Sequence, residues 1–550
     1  MFLRPLSRAV TRPASILMVV AWIAVMAVLI HRSYIQAAPV SLATDLARYG
    51  SGAEWRGVYY RGEKIGFTVS QTVPRDDGFE LQEDGRLQMS LLGATTAATI
   101  HTTARVDATF ALRAFEFSLD PGTGAVAVTG QVNGRRLSLS VTTPSGTRTE
   151  ERDLPEPPML SQNLSRRLAS GGLVSGARYD WTVFDPATLR NAPVVVRVGR
   201  REFVPGTATP IPAARVEMEF AGLRTTSWVT DTGQVLREES PMGLITVRES
   251  AESAQAMAVS RRVQVDLLQA AAIVPVANRR IDEPRDVRRL RLDLTGVDLS
   301  PFELDGVGQT LSGTIVEIRD PQSLQAERAD PDARNYLAAE PFIESDAPEI
   351  LAEAEMAVRG ATTVRDRAEK LTRYVNALLD KKPTVSLPSA REVLRTRVGD
   401  CNEHTVLFVA MARAIGLPSR IAVGLVYIHG AFYYHAWPEV YLDEGSSRGL
   451  WLPVDPTLNQ FPADGTHLRF TRGGLEKQAL ILPLIGTLKI RLVDLELAPN
   501  ATPILVGREP VDLGPLAIPI PGRAASCCVC GADAAGAADR PFGLTPVRGR

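Results

Sequence analysis

The stretch Val398–Leu458 reads VGDCNEHTVLFVAMARAIGLPSRIAVGLVYIHGAFYYHAWPEVYLDEGSSRGLWLPVDPTL. From Thr405 onward its apolar residues recur at helical spacing and beyond, which predicts a largely buried helix. Gly416 and Pro418 end that helix, because glycine supplies a left-handed cap and proline cannot continue the helix. Cys401 is therefore predicted at a helix N-terminus. Free N–H groups and the helix dipole favour a thiolate there, and the thiolate is the nucleophilic form of cysteine.

Three strands are predicted after this helix. Ser419–Ile428 and Phe432–Leu442 read as an antiparallel pair joined by a turn at His429–Ala431, and residues 449–455 read as a third short strand. Because alternate residues of a strand share a face, one face of the second strand carries His435, Trp437, Glu439 and Tyr441. The sequence therefore predicts a helix followed by an antiparallel sheet, which is an α+β arrangement.

A cysteine, a histidine and an aspartate follow one another on these elements as Cys401, His435 and Asp455. Such a set supplies a nucleophile, a general base and a carboxylate that orients the base. Each residue alone has a commoner explanation, as a small core residue, a packed strand residue and a turn residue. Joined in this order, they are predicted to form an active site. His404, one turn from Cys401, is the alternative base, although a structural role on the helix face is preferred.

Four other residues of this region are either candidates for substrate binding or histidines outside the predicted active site. Asn402 and Trp437 are predicted to line the substrate cleft, and a core position is the alternative for Trp437. His429, in a predicted turn, and His467, in a polar loop, are both predicted to be solvated. Since no acidic cluster resembles a calcium loop, we predict no metal and no other cofactor.

The three motifs GDCNEHTVLFVAMARAIGLPSR, YYHAWPEVYL and LPVDPT resemble the bacterial branch of the transglutaminase-like superfamily, over residues Asn335–Leu475. The resemblance implies a papain-like core in which Cys401 is the nucleophile, His435 the base and Asp455 the orienting group. It also implies a protein or peptide substrate whose amide is attacked to give a thioester. The superfamily includes acyl transferases, peptidases, amidases and inactive members, so transfer, hydrolysis and loss of activity all stay open.

The N-terminus carries Arg4, Arg8 and Arg12 ahead of an uncharged apolar run at residues 14–30. This run is at the short end for a membrane-spanning helix. The positive-inside rule then predicts a single-pass membrane protein with its N-terminus inside and the bulk of the chain periplasmic or extracellular. A cleavable signal peptide is the rival interpretation.

The length of 550 residues and a hydrophobic content of 45% predict a multi-domain protein with ample core, and the net charge of −1 gives no indication of a nucleic-acid partner. We predict five parts, with the last largely disordered from about residue 510. These are a cytoplasmic stub and transmembrane anchor (1–40), an antiparallel β-rich domain (41–262), a connecting β module (263–334), the catalytic core (335–475) and a C-terminal extension (476–550).

The β-rich part is predicted from long strands separated by tight Asp-Gly, Pro-Gly and Asn-Gly turns, with a short helix at Leu160–Ala169. It supports an alternative function, in which this part binds a lipid or envelope partner and the papain-like core is a non-catalytic interaction module. A cysteine peptidase acting on cell-envelope peptides is the other alternative.

The tail cysteines Cys527, Cys528 and Cys530 lack a second ligand cluster, and no role is predicted for them.

Overall fold

The computed structural model describes residues 49–505, except for gaps within this range. The gaps are residues 51, 92–93, 123, 155–157, 162–163, 187–188, 206–210, 221–222, 241–242, 257–271, 383–388, 444–447, 474–480, 482–483 and 500–503. The described residues belong to one compact unit.

A single antiparallel sheet contains the first fourteen described strands. They are β1 Glu54–Tyr60, β2 Glu63–Arg75, β3 Gly78–Leu91, β4 Ala94–Asp107, β5 Leu112–Asp120, β6 Val126–Asn133, β7 Arg136–Thr143, β8 Gly146–Asp153, β9 Arg178–Asp185, β10 Arg190–Phe203, β11 Pro212–Phe220, β12 Leu223–Val229, β13 Val235–Glu239 and β14 Leu244–Glu249. The β-rich character predicted for this region is confirmed.

The path of the chain through this sheet is a meander in two halves. Strands β1 to β8 run outward from the centre to one edge, and β9 to β14 return from the opposite edge until β14 pairs with β1. The crossing between the two edges contains α1, Leu164–Ser170. Leu164 and Leu168 of α1 are buried against apolar residues of β9 to β12, so the helix covers one face of the returning half. A further short helix, α2 (Ala251–Gln255), follows β14.

The rest of the chain forms smaller sheets and four more described helices. Its strands are β15 Arg279–Arg280, β16 Val287–Thr295, β17 Gln309–Ser312, β18 Ile315–Arg319, β19 Glu327–Arg328, β20 Asp380–Lys381, β21 Val398–Gly399, β22 Ser419–Ile428, β23 Ala431–Asp443, β24 Arg448–Pro453, β25 Leu468–Gly473, β26 Lys489–Leu497 and β27 Ile504–Leu505. The helices are α3 Pro348–Ala357, α4 Val364–Leu378, α5 Ala390–Thr396 and α6 Cys401–Ala414, and short 3₁₀ turns lie at Pro284–Asp286, Pro321–Ser323 and Ala333–Leu337.

Two of these sheets form the body around α6. One has the order β19-β24-β23-β22-β25 and the other the order β17-β18-β16-β26. Strand β26 pairs antiparallel with β16, so residues 489–497 of the predicted C-terminal extension are built into the sheet of the predicted connecting module. The five-part division of the chain stays a prediction.

Helix α6 is the central element of this body. It packs against the helices α3, α4 and α5 and against the strands β22 and β23. Its residues Val406–Ala412 are fully buried, because apolar side chains occupy every side of the helix rather than a single stripe. The buried helix predicted from the apolar run after Thr405 is therefore present, and it begins at Cys401.

The transmembrane helix in the predicted fold class is wrong. Among the residues that the structure describes, no helix is both long enough and apolar enough to cross a membrane. This finding contradicts the predicted single-pass topology and localisation. The apolar run at residues 14–30, on which that prediction depended, lies outside the described residues. What the structure supports is a β-rich chain with an α+β body around α6.

The central position of α6 can be tested by truncating one of its side chains. Phe408 has no exposed surface, so Phe408→Ala removes a fully buried ring and leaves a cavity. We expect a loss of roughly 3–5 kcal/mol in the free energy of unfolding, measured by denaturant titration. The matched control is Phe203→Ala, because Phe203 is 67% exposed. Its effect should stay within about 0.5 kcal/mol, and equal effects of the two changes would contradict the described packing.

Candidate active site

The start of α6 is held by a reciprocal cap. Asp400 is the N-cap residue, and its carboxylate accepts a hydrogen bond from the Asn402 N–H at 3.0 Å. The Glu403 carboxylate reaches back and accepts one from the Asp400 N–H at 2.9 Å. Gly399 makes room for this arrangement, since a Cβ atom there would lie 2.2 Å from the Glu403 Cβ. The capping box sets the residue at which the helix begins, and that residue is Cys401.

The Cys401 side chain is half-buried at this first helical position. Burial, followed by the negative charge of Asp400, raises the pKa of the Cys401 thiol well above its ordinary value. A hydrogen bond from the backbone N–H of Ala436 acts in the opposite direction. The prediction that the helix N-terminus favours a thiolate at Cys401 is therefore wrong. The cap that fixes the helix start brings carboxylates next to the sulfur, and burial penalises the charged form.

Strand β23 brings His435 to the same place. Thr405 of α6 donates its hydroxyl hydrogen to the Ala436 carbonyl at 3.0 Å, while the Ala436 N–H faces Cys401. Both contacts involve the residue that directly follows His435 in β23. The structure therefore brings the predicted nucleophile and the predicted base to neighbouring positions, although 34 residues separate Cys401 from His435 in the sequence (435 − 401).

Asp455 lies just beyond β24 and contacts the imidazole of His435. Its Oδ2 is 2.8 Å from His435 Nε2, and the Asp455 side chain is completely buried. Its Oδ1 accepts a hydrogen bond from the Leu458 N–H at 2.9 Å. Burial would raise the pKa of Asp455, but the charge and hydrogen bond of His435 and those of His467 outweigh burial and lower it. The carboxylate is therefore ionised when it holds the ring.

His467 is a second imidazole on the same carboxylate, and the prediction that it is solvated is wrong. Its ring is 5% exposed, with Nε2 at 3.1 Å from Asp455 Oδ2 and Nδ1 at 3.3 Å from Asp464 Oδ1. Burial acts to lower the pKa of His467, but Asp464 and Asp455 raise it to about 10. The turn before β25, which looks like a polar loop in sequence, is buried beside the predicted active site.

One ligand atom from each of His435, Asp455 and His467 lies within 4.8 Å of the others, a spacing that a metal ion could bridge. In this structure the three atoms are already joined by the hydrogen bonds to Asp455 Oδ2. The donor set could hold a metal only if these bonds were broken. The arrangement instead fits a carboxylate shared by two imidazoles, and the absence of a metal stays a prediction.

Trp437 is buried beneath the two imidazoles and does not form a wall of an open cleft. Its side chain is 1% exposed. The Trp437 ring stacks on His435 at 6.0 Å with an interplanar angle of 20°, and it meets His467 edge-on at 5.0 Å. This position agrees with the alternative of a core aromatic. Asn402 lies half-buried in the first turn of α6, and its part in a substrate cleft stays a prediction.

His404, the alternative base, contacts the backbone at the start of α6. It is completely buried, and its Nδ1 lies 2.6 Å from the Asp400 carbonyl oxygen. Its Nε2 has no hydrogen-bond partner among the described residues, and burial lowers the pKa of His404. These contacts agree with a structural role for a neutral ring at the helix start. His429 occupies the exposed turn between β22 and β23, where a solvated residue was predicted.

Sequence reasoning did not name Asp464, and it assigned His467 no part in the active site. The two residues are three positions apart in a segment that is rich in small and polar residues, and such segments usually lie in solvent. The one available signal is a histidine 12 residues after the predicted catalytic aspartate, which is within reach of the same site. That spacing has no characteristic pattern, so only the folded turn shows the contact.

Comparison with known proteins identifies part of the chain. The model of the transglutaminase-like superfamily matches residues 352–456, so the chain carries a transglutaminase-like domain there. The matched span includes Cys401, His435 and Asp455 and ends before His467. No curated protein matches the chain.

Solved structures give weaker likenesses. A β-barrel-like protein with a domain of unknown function from Brucella abortus is 15% identical, with 36% of this chain and 96% of that chain covered and a TM-score of 0.29. A candidate cysteine protease from Cytophaga hutchinsonii is 15% identical, with coverages of 40% and 90% and a TM-score of 0.25. A candidate protease from Parabacteroides distasonis is 11% identical, with coverages of 60% and 63% and a TM-score of 0.18. At these TM-scores the likenesses carry no further argument.

The electrostatics of Cys401 predict how its alkylation depends on pH. Because its pKa is raised, the thiol stays protonated at neutral pH, and its thiolate appears only in the alkaline range. At about pH 6, reaction with iodoacetamide should therefore be no faster than that of a free thiol with an ordinary pKa of about 8.5, and the rate should increase with rising pH. The measurement uses the full chain with Cys527, Cys528 and Cys530 replaced by serine, so that only Cys401 is labelled. Rapid labelling that stays constant below neutral pH would contradict the prediction.

Proposed function

We propose that the transglutaminase-like domain is a cysteine-dependent acyltransferase or amide hydrolase, which acts on a protein or peptide amide through a thioester on Cys401. One observation carries the proposal. Cys401 begins α6 against the backbone N–H of Ala436, and the residue before Ala436 is His435, whose ring is 2.8 Å from the buried carboxylate of Asp455. A thiol, an imidazole and an ionised carboxylate in this order are the groups that acyl transfer needs.

In the first step, the Cys401 sulfur attacks the carbonyl carbon of the amide while His435 accepts the thiol proton. A C–S bond forms, and the carbonyl electron pair moves to the oxygen to give a tetrahedral oxyanion. When this intermediate collapses, the C–N bond breaks and His435 returns the proton to the departing amine. Because the raised pKa keeps the thiol neutral at rest, transfer of the proton to His435 accompanies the attack.

Asp455 gives the imidazole its orientation. The His435 Nε2–H donates to Asp455 Oδ2, which leaves Nδ1 unprotonated and able to accept the proton of Cys401. The same carboxylate stabilises the imidazolium formed during attack, because a buried charge pair is weakly screened. Asp455 therefore both sets the tautomer of His435 and stabilises its charged form.

The N-terminal turn of α6 offers donors for the developing oxyanion. The first N–H groups of a helix have no partner within the helix. In α6 the Asn402 N–H donates to the capping Asp400, whereas the Cys401 N–H lies at the attacking residue itself. We assign the Cys401 N–H as an oxyanion donor, a geometry in which backbone donors contribute several kcal/mol in other enzymes.

The second step decides between hydrolysis and transfer. Water or an acceptor amine attacks the thioester carbonyl, His435 takes a proton from that nucleophile, and the C–S bond breaks to restore the Cys401 thiol. Water yields a carboxylic acid, as in a peptidase or amidase, and an amine yields a new amide. Trp437 is buried and cannot screen this step from water, so the structure offers no reason to prefer transfer.

The proposal predicts a covalent intermediate that can be trapped. When the full chain is incubated with a pool of glutamine-containing and short cell-wall-type peptides, intact-mass spectrometry should detect an acyl adduct on Cys401. Cys401→Ala should abolish the adduct. We expect His435→Gln to lower the rate of its formation roughly 10³-fold or more, and Asp455→Asn roughly 10²–10⁴-fold, because the base or its orientation is lost. Adding hydroxylamine or a primary amine then separates transfer from hydrolysis by the products.

The matched control carries serine at Cys527, Cys528 and Cys530, which lie outside the described residues, and should form the adduct at the same rate as the natural chain. His429→Gln serves as a second control, because this histidine lies in an exposed turn. An adduct that persists in Cys401→Ala, or a Cys401 that forms none with any peptide while remaining folded, would overturn the proposal.

A further inference from the structure

The turn that precedes β25 places a charged pair behind the predicted triad. Asp464 caps this turn, accepting hydrogen bonds from the Thr466 N–H at 2.9 Å and from the Gln460 side-chain amide at 2.7 Å. Its carboxylate is 3.3 Å from His467 Nδ1, and the opposite ring nitrogen of His467 is 3.1 Å from Asp455 Oδ2. The result is a buried chain of four groups in the order His435, Asp455, His467, Asp464.

We propose that His467 is a positioning residue, which carries a fixed positive charge between Asp464 and Asp455 and thereby keeps His435 neutral until it accepts the proton of Cys401. This inference rests on the proposed function for the meaning of that proton transfer. The charge on His467 itself is a property of the folded protein and can be measured without a substrate.

The geometry of Asp455 is the first argument. Its Oδ1 is bound by the Leu458 N–H, so both imidazoles share the single oxygen Oδ2. If His435 were also charged at rest, two buried imidazolium rings with centroids 5.9 Å apart would compete for one carboxylate oxygen. Like charges at this distance in a buried site disfavour one another strongly. The carboxylate therefore supports one resident imidazolium.

The second argument concerns which of the two rings holds the charge. His467 is 5% exposed and contacts two carboxylates, whereas His435 contacts one. Asp464 is itself buried, and its pKa is lowered by His467 in spite of burial. The two carboxylates raise the pKa of His467 to about 10, so the ring stays protonated across the neutral range. His467 is therefore the resident cation.

The remaining charged groups around the site do not reverse this assignment. Asp400 and Glu403, at the start of α6, act on Cys401 and disfavour its thiolate. Lys381, on β20, lies within electrostatic reach of Asp455 and adds positive charge on that side. His404 is buried, and its pKa is lowered. These surroundings favour a neutral Cys401 thiol at rest, and in the proposed mechanism its proton moves to His435 only when a substrate is attacked.

The charge on His467 can be read directly by nuclear magnetic resonance on the full chain labelled with ¹⁵N-histidine. The chain has 6 histidines, so the ring signals can be assigned by single substitutions. We expect both ring nitrogens of His467 to carry protons from pH 6 to about 9. A neutral His467 ring at pH 7 would overturn the inference.

His467→Gln tests the effect on His435, because an amide can still donate to Asp455 but carries no charge. Loss of a cation about 6 Å away should raise the titration midpoint of His435 by about one pH unit. A more basic His435 populates the Cys401 thiolate–imidazolium pair, so alkylation at pH 6–7 should become about tenfold faster. A merely structural role for His467 would leave alkylation unchanged or slow it, and either result would contradict the proposal.

Asp464→Asn keeps the His467 ring and provides a second variant if His467→Gln does not fold. Removing one counter-charge should lower the titration midpoint of His467, and an unchanged midpoint would contradict the assignment. His429→Gln, in the exposed turn, is the matched control and should leave the His435 titration unaltered.

The outcomes for the two proposals can be told apart. If no acyl adduct forms but His467 is charged and the His435 titration shifts as expected, the proposed function fails and the charge network stands. If adducts form but His467 is neutral, the network fails and the proposed function stands.

Discussion

A single carboxylate oxygen, Asp455 Oδ2, is the contact on which the candidate site depends. It is completely buried and lies 2.8 Å from one imidazole and 3.1 Å from another. The contact joins His435 on β23 to His467, which lies in the turn before β25. A buried carboxylate must be paired, because an unpaired charge in the interior is very costly. The same requirement that stabilises the fold here also orients the predicted base.

At the start of α6, the carboxylates of the helix cap oppose the effect of the helix dipole on the Cys401 thiol. A capping box made by Asp400 and Glu403 determines that the helix begins at Cys401, with Gly399 leaving room for the Glu403 side chain. The cap adds negative charge beside the thiol, and that charge opposes the helix dipole. The nucleophile is thus accurately placed but not activated in advance. Its activation must come from His435 during the reaction.

The large antiparallel sheet is joined to the body around α6 by direct contacts. Phe342 is buried in the apolar core of the sheet, and the Ser145 hydroxyl, in the turn between β7 and β8, donates to Glu392 of α5 at 2.9 Å. Arg148 of β8 also pairs with Asp346 at 3.0 Å. Exposed ion pairs of this kind add little stability, so the buried aromatic contributes more to the attachment. Helix α5 immediately precedes β21 and Cys401, which places the attachment near the nucleophile in the chain.

The sequence by itself determined what short-range spacing can encode. The apolar run that ends at Gly416 and Pro418 predicted α6, and the turn residues predicted the β-rich region. Three motifs in sequence order pointed to Cys401, His435 and Asp455. Only the tertiary structure decided which of these groups are buried and which are charged. The burial of Trp437 and His467 and the oxygen of Asp455 that two imidazoles share depend on residues that are separate in sequence. Burial and electrostatics are sums over neighbours in space, and the local pattern of a turn or strand does not contain those neighbours.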